Sequence, residues 1–435
     1  MIKTVDWEKY GDYGMKISIL GTGYVGAVTG ACFAELGNSV VFVDIDPAKL
    51  DLIRTGRSPI FEPGLDELLG KNLKRISATT DTGEAIRETD VTFICVGTPS
   101  NPDGSIDLQY IEAASQAIGE VLRQKESWHT VVMKSTVVSG TTAGIVQRTL
   151  EEASEKVAFR DFGLASNPEF LREGSALADV FSPDRIVIGA EDPRSREVLE
   201  RLYSSFDCPK LVCAIPVAEM IKYVSNAFLA TKISFANEIG NLCKLMGIDT
   251  AEVFEGVGLD ARINPAFFRS GIGFGGSCFP KDVRALIAQA EEMGVLPKIL
   301  QSVMAVNEDQ PMRLLDLLKK HIPDLRGKRI GVLGLSFKPD TDDIRESRAI
   351  PIVSALLEAG ADVIAYDPLA IANFRSLFPD ISYASSAAEV LQSDAVLLIT
   401  EWKGFEVLDY AGKIVIDGRR VPKAAIGSIY EGVCW

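Results

Sequence analysis

Two runs of residues in this 435-residue sequence are able to do chemistry. The first is Gly271-Ile272-Gly273-Phe274-Gly275-Gly276-Ser277-Cys278-Phe279-Pro280-Lys281-Asp282. A thiol at the N-terminal edge of a helix and close to a lysine gains thiolate character from the helix dipole and the ammonium, and a thiolate is a nucleophile. Pro280 suits the first position of such a helix, and the glycines are expected to free backbone amides for a ligand. Asp282, one turn past Cys278, is placed to position water or take a proton. The other six cysteines lie in or beside apolar segments, the ordinary fate of the residue, so only Cys278 has the setting of a nucleophile. The second run, Gly21-Thr22-Gly23-Tyr24-Val25-Gly26, follows a short β-type stretch and opens a helix. Its glycines permit a tight turn, close approach of a pyrophosphate and close helix packing, with helix amides facing the anion. Asp44, 18 residues beyond Gly26 at the end of the next strand, accepts from a ribose diol and repels a 2′-phosphate, which selects NAD over NADP. The bland alternatives are a Gly-rich turn in a non-binding α/β domain and a buried structural cysteine.

Further polar residues stand where they can assist. Lys222 and Asn226 are four apart in a helical stretch and so share a face, where an ammonium and an amide can stabilise an oxyanion. Taken alone, such a lysine is a solvated charge. Asn167-Pro168-Glu169-Phe170-Leu171-Arg172-Glu173 reads as a helix start, with a cap, a proline at its first position and two carboxylates one turn apart. Those carboxylates also suit the helix dipole without any further role. Thr98, in Gly97-Thr98-Pro99, and Thr136, in Lys134-Ser135-Thr136, are hydroxyls at strand ends. The two histidines, His129 and His321, lack a glycine-rich or carboxylate-rich context, so histidine-based hydride chemistry is not indicated.

The elements that must hold these residues alternate. Residues 16–20, 40–43, 91–96, 130–133 and 185–189 read as strands separated by helical composition, which predicts a parallel, helix-covered sheet over roughly the first 210 residues. From Val217 to Met246 no proline intervenes and apolar residues recur at Ile221, Val224, Phe228, Phe235, Ile239 and Leu242, between Pro216 and Gly247. At 1.5 Å per residue this helix would be about 45 Å long, too long for one small domain to cover, and it reads as a spine between domains and between subunits. A second helical stretch ends near Glu308, a polar link follows at 321–327, and the βαβ pattern restarts: strands at 329–333, 363–366, 395–399 and 413–416, with a helix over 347–359. The fold class is therefore α/β: two Rossmann-like doubly wound parallel-sheet domains joined by a long central helix. The expected boundaries are an N-terminal extension over 1–14, an NAD-binding domain over 15–210, a central helical and dimerisation domain over 211–320, and a second Rossmann-like domain over 321–435.

Composition removes other classes. With 45 Lys plus Arg against 60 Asp plus Glu, the formal charge is −15, opposite to that of a nucleic-acid groove. No run of 18 uncharged apolar residues exists, so no membrane span is expected. Seven cysteines without a CxxC pair suggest neither a disulfide framework nor a metal site, and with a polar N-terminus the expectation is cytoplasmic residence.

Five motifs occur in order: GxGYVG, KST, NPEFLREG, a Lys-x-x-x-Asn on the long helix, and GFGGSCFPKD. In these the chain resembles the UDP-glucose 6-dehydrogenases, from Met15 to about Val421. GDP-mannose dehydrogenases carry a closely similar cysteine loop, so theirs is the alternative substrate. The resemblance implies a homodimer or larger assembly that oxidises the C6 alcohol of UDP-glucose to a carboxylate with two NAD, through a cysteine-linked intermediate. It implies Cys278 as nucleophile, with Asp282, Lys222, Asn226, Glu169 and Thr136 as further catalytic residues. It implies NAD contacts from Gly21, Gly23, Tyr24, Val25, Gly26, Asp44, Lys49, Thr98, Thr136 and Glu173. Sugar-nucleotide contacts are implied for Glu169, Phe170, Leu171, Glu173, Lys222, Asn226, Arg269, Phe274, Gly275, Lys338 and Arg419 (or its neighbour Arg420), with Arg262 crossing a dimer interface. The second α/β unit has only Gly331-Val332-Leu333-Gly334 in place of a full GxGxxG and is expected to bind UDP rather than NAD. Two competing readings are a two-electron hydroxyacid dehydrogenase of the same fold, with Cys278 incidental, and a non-enzymatic nucleotide-sugar sensor.

Overall fold

The structure, a computed structural model, describes residues 14–435. Of the expected N-terminal extension, residues 1–13 lie outside the described residues. The chain divides into two compact units, one ending at Tyr223 and the other beginning at Val224.

The first unit holds an eight-stranded sheet: β1 (Lys16–Leu20), β2 (Ser39–Val43), β3 (Ile76–Thr79), β4 (Val91–Ile94), β5 (Thr130–Met133), β6 (Gly163–Ser166), β7 (Ile186–Ala190) and β8 (Lys210–Cys213). Every residue of β4 and β5 is buried, as near-continuous apolar runs covered on both faces should be. The strand order is β3-β2-β1-β4-β5-β6-β7-β8. The chain reverses direction across the sheet between β1 and β4, which makes their carboxyl ends the switch point where ligands bind in such folds. The expected parallel sheet holds except at one seam, because β6 and β7 pair antiparallel. Between them the chain makes only a loop and the short helix Ala176–Phe181, with no crossover to return it to the other edge.

The long helix spans Ile215–Met246, two residues longer than expected at its start. Pro216 sits in its first turn, where a missing amide costs nothing. Val217, Val224, Phe228, Phe235 and Leu242 along it are each between 47% and 63% exposed.

The second unit carries β9 (Arg329–Leu333), β10 (Asp362–Tyr366), β11 (Ser382–Tyr383), β12 (Ala395–Leu398), β13 (Ile414–Asp417) and β14 (Ile429–Gly432). They pair in the order β11-β10-β9-β12-β13-β14, all parallel. Helices Phe279–Glu292 and Lys298–His321 precede this sheet. The second does not end near Glu308 as expected but runs on through Pro311 to His321. Proline removes the hydrogen bond to the carbonyl four residues back, and the Asn307 carbonyl instead lies 3.5 Å from the Arg348 guanidinium.

Candidate active site

The glycine loop follows β1 at the switch point. Gly21 has φ +96°, and a Cβ on Gly26 would lie 1.9 Å from the Gly21 carbonyl oxygen, so both are held to glycine by backbone crowding. A Cβ on Gly23 would meet nothing within 4 Å. Gly23 is the N-cap of helix Tyr24–Glu35, which has no side-chain cap and no acidic residue in its first turn. Uncapped amides facing open space suit a pyrophosphate. Asp44, just past β2, accepts from the Thr22 amide (2.7 Å), the Thr22 hydroxyl (2.6 Å) and the Asp46 amide (3.0 Å), with the Lys49 ammonium 3.9 Å away. Burial alone would raise this carboxyl, but these donors and Lys49 hold it below its ordinary value. It therefore stays an anion able to accept from a ribose, and the residues present fit NAD. Thr98 and Thr136 follow β4 and β5 at the same edge of the sheet.

Glu169 and Lys222 form a buried ion pair at 3.0 Å, with side chains only 8% and 5% exposed. Burial raises the Glu169 carboxyl, and the Lys222 charge, the Leu171 amide at 2.5 Å and Lys134 together outweigh it, leaving the group below its ordinary range. The Phe170 ring lies under the Arg185 guanidinium at 3.7 Å, with the Lys222 ammonium 5.4 Å from its centroid. The helix expected at Asn167 does not form, and residues 167–172 are loop. Asn167 is no cap, because its side chain accepts from the Lys134 ammonium (2.8 Å) and the Tyr203 hydroxyl (2.5 Å) and donates to the Val187 carbonyl (2.8 Å). These tertiary partners outcompete local capping. Lys134 is a residue that sequence reasoning passed over, and burial pushes its ammonium down to about 8, against the pull of Glu169 and Cys95. Its signal was a lone cation ending an otherwise buried strand.

In the second unit, Cys278 is exposed, whereas Cys32, Cys95, Cys243 and Cys434 are buried and Cys208 and Cys213 are intermediate. Cys278 is the N-cap of helix Phe279–Glu292, so the helix begins at Phe279, one residue before the expected Pro280. The Asp282 amide donates to the Cys278 carbonyl at 2.8 Å. The buried Asp282 carboxylate accepts from Asn226 at 2.6 Å and from Lys281 at 2.7 Å. The expectation that the loop glycines free amides for a ligand fails at Gly271 and Gly276. Gly271 and Phe274 donate to Asn237 (2.8 Å) and Asn307 (2.7 Å), and Gly276 donates to the Arg345 carbonyl (2.9 Å). A Cβ on Gly275 would stand 2.2 Å from the Glu346 carbonyl oxygen, and one on Gly276, at φ +83°, 2.7 Å from the Phe337 ring. The glycines let the loop pack tightly and so fix Cys278. The Phe274 ring lies in the core with Ala227, Val283 and Met304.

Arg262 is 89% exposed at its side chain and paired with Asp260, and Arg269 is exposed in the loop that follows. Of the two adjacent arginines, Arg419 reaches the cysteine loop, donating to the Gly273 carbonyl at 3.2 Å, while Arg420 turns to Asp249. The Lys338 ammonium lies 5.7 Å from the Phe337 ring centroid. His129 is a core residue bonded to Thr92 and the Thr89 carbonyl, and burial pushes it down to about 3, so it carries no charge near neutrality.

Three models of one family match in order: its NAD binding domain at residues 15–207, its central domain at 216–309 and its UDP binding domain at 331–424. With two doubly wound sheets and the glycine loop closed by Asp44, these define an NAD-dependent oxidoreductase that handles nucleotide sugars. The chain belongs to the UDP-glucose/GDP-mannose dehydrogenase family. It is 50% identical over 431 residues to a UDP-glucose 6-dehydrogenase of Haloferax volcanii, covering 96% of this chain and 100% of the relative. It is 42% identical over 442 residues to a GDP-mannose 6-dehydrogenase of Pseudomonas savastanoi, covering 97% and 100%. A solved UDP-glucose dehydrogenase of Pyrobaculum islandicum superposes with a TM-score of 0.95 at 50% identity, covering 98% of this chain and 99% of that one. Among the described residues no helix is long and apolar enough to cross a membrane.

Proposed function

We propose that this dehydrogenase oxidises UDP-glucose to UDP-glucuronate in two steps through Cys278. The observation that carries the reading is the setting of that residue: an exposed thiol at a helix N-terminus, on a loop fixed by its glycines, four residues before an Asp282 held by Asn226 and Lys281. UDP-glucose is preferred because relatives at 50% identity carry that name, against 42% for a GDP-mannose enzyme.

NAD, when bound, supplies an acceptor for hydride from C6 of the sugar. Lys222 and Asn226 stabilise the alkoxide as the hydroxyl loses its proton, which passes through water positioned by Glu169. The Cys278 thiolate then bonds to the aldehyde carbon and the carbonyl oxygen takes a proton, giving a thiohemiacetal. Loss of that proton to water and of a second hydride, for which a second NAD would be the acceptor, leaves a thioester. Water positioned by Glu169 adds and loses one proton to solvent, the carbon–sulfur bond breaks as thiolate returns, and the second proton leaves by way of Asp282 to solvent as the carboxylate forms. Thr98, Thr136, Glu173 and the glycine loop serve the cofactor, and Phe170, Leu171, Arg269, Gly275, Lys338 and Arg419 serve the sugar nucleotide. Arg262, exposed and paired with Asp260, reaches a neighbouring subunit's substrate in an assembly formed along the half-exposed apolar face of Ile215–Met246. The domains work as 15–210, 211–320 and 321–435, in the cytoplasm.

The test is stoichiometry. The wild type should form two NADH per UDP-glucose and turn over GDP-mannose poorly, and Cys278→Ser should retain UDP-glucose binding while losing turnover. One NADH per sugar, or near-normal turnover of Cys278→Ser, would sink the reading and favour a two-electron dehydrogenase.

A further inference from the structure

Glu62 lies in a loop that the reaction above does not use, yet it is only 6% exposed. One of its carboxylate oxygens accepts from the Tyr24 hydroxyl at 2.5 Å and from the Gly174 amide at 2.7 Å. The other accepts from the Ala176 amide at 2.8 Å. Tyr24 is the first residue of the helix that the glycine loop opens. Gly174, at φ +80°, follows Glu173, and Ala176 starts a helix whose N-cap Ser175 makes no side-chain cap. Glu62 thus supplies from a distant segment the cap that this helix lacks. Burial and the Glu62 charge push the Tyr24 phenol up, so it stays protonated and donates. Gly64, two residues on, packs against Leu177 of the same short helix.

We infer that Glu62 is a positioning residue that couples the two ligand sites of the first unit. A buried carboxylate with three donors, one from the cofactor loop and two from the segment after Glu173, cannot satisfy either side after the other has moved. Ordering of the glycine loop by the dinucleotide therefore fixes the 169–176 segment, and the nucleotide sugar ordered by that segment favours the dinucleotide in return. This rests on the reading that 169–173 face the sugar.

The test is calorimetry on the full-length enzyme with NADH and UDP-glucose, a pair that cannot react. In the wild type each ligand should tighten the other by a factor within the usual range of about 5 to 150. In Glu62→Gln, whose amide must face at least one donor, the factor should fall to within about twofold, because the shared acceptor is lost. Tyr24→Phe, which removes one bond and leaves both amides capped, should lower the factor too and serves if the first variant does not fold. No coupling in the wild type, or undiminished coupling in the variants, overturns the inference while leaving the catalytic reading intact. Failure of UDP-glucose to bind the wild type at all overturns both. A merely structural Glu62 would lower the melting temperature and leave the factor unchanged.

Discussion

Replacing Lys222 by Met removes one half of a buried ion pair. Its ammonium sits 3.0 Å from Glu169, and neither side chain is more than 8% exposed. Without it, Glu169 keeps only the Leu171 amide and the charge of Lys134 against burial, and breaking such a pair from one side costs about 3–5 kcal/mol. Glu169→Gln should cost a similar amount, because it leaves Lys222 and Lys134, which already oppose each other's charge, without their shared anion. In the double variant no carboxylate is stranded and one ammonium is gone, so the two losses should not add. A coupling of about 2–3 kcal/mol is expected, at the upper end for contacting residues. Urea unfolding of the full-length wild type, both singles and the double measures it. Turnover should fall by about two to three orders of magnitude in each single, as when an oxyanion donor is lost, and should not return in the double. Additive destabilisation, with coupling under about 0.5 kcal/mol, would refute the claim that these two charges hold one another in place.

Asp44→Asn should raise the KM for NAD about tenfold, the loss of one charge-assisted hydrogen bond, and narrow the preference over NADP, because the 2′-phosphate is no longer repelled. Initial rates with both cofactors decide it, and an unchanged preference counts against the ribose role. Burial raises the Glu431 carboxyl, but Lys244 (2.9 Å), Lys320 (2.5 Å) and His321 (3.2 Å) hold it down at about 2, from an ordinary 4.5. A depressed carboxyl stabilises the fold above pH 4.5 and loses that contribution as pH falls toward 2, so Glu431→Gln should cost about 2 kcal/mol at pH 7, the full shift reduced by solvent screening, and converge on the wild type in acid. Unfolding midpoints at the two pH values test this, and a gap that does not close contradicts it.

The fold was legible where local pattern and burial agree. The apolar runs of β4 and β5, the glycine turn and the capped length of Ile215–Met246 all appear at or near the expected positions. What failed was decided by partners distant in sequence. Asn167 looked like a cap, and Lys134, Tyr203 and Val187 claimed its side chain instead. The second helical stretch was expected to end near Glu308, yet it runs on through Pro311, with the Arg348 guanidinium near the orphaned Asn307 carbonyl. The glycines before Cys278 looked like open amides, but those of Gly271 and Gly276 bond within the protein, and Gly275 and Gly276 are small enough for Glu346 and Phe337 to approach. At the site, Cys278 and Asp44 were readable from residue type and spacing, and Lys222 and Glu169 only through the family resemblance, since bare they read as a solvated charge and a helix-dipole carboxylate. Lys134 and Glu62 were not, because a lysine and a glutamate acquire meaning only from what burial places beside them.

The two sheets show how one topology can be committed to different ligands. Both run in the order 3-2-1-4-5-6 at their cores, and both turn out of the first strand on a left-handed glycine, Gly21 at φ +96° and Gly334 at φ +98°. Both close that turn with an aspartate just beyond the second strand. Asp44 meets three donors, two on one oxygen and one on the other, which leaves room to accept from a ribose. Asp367, 1% exposed, meets six: Leu335, the Ser336 amide and hydroxyl, Trp402, Leu369 and Ala370. Its capacity is spent on the protein. The second and third glycines of the first loop correspond to Ser336 and Pro339, and the next helix starts only at Ala349, so no row of uncapped amides stands behind the turn. In place of the helix dipole this loop carries a side-chain cation, Lys338. A dinucleotide needs the amide row and the free carboxylate together, whereas a diphosphate can be held by cations, and that difference assigns the cofactor to the first sheet and the sugar nucleotide to the second.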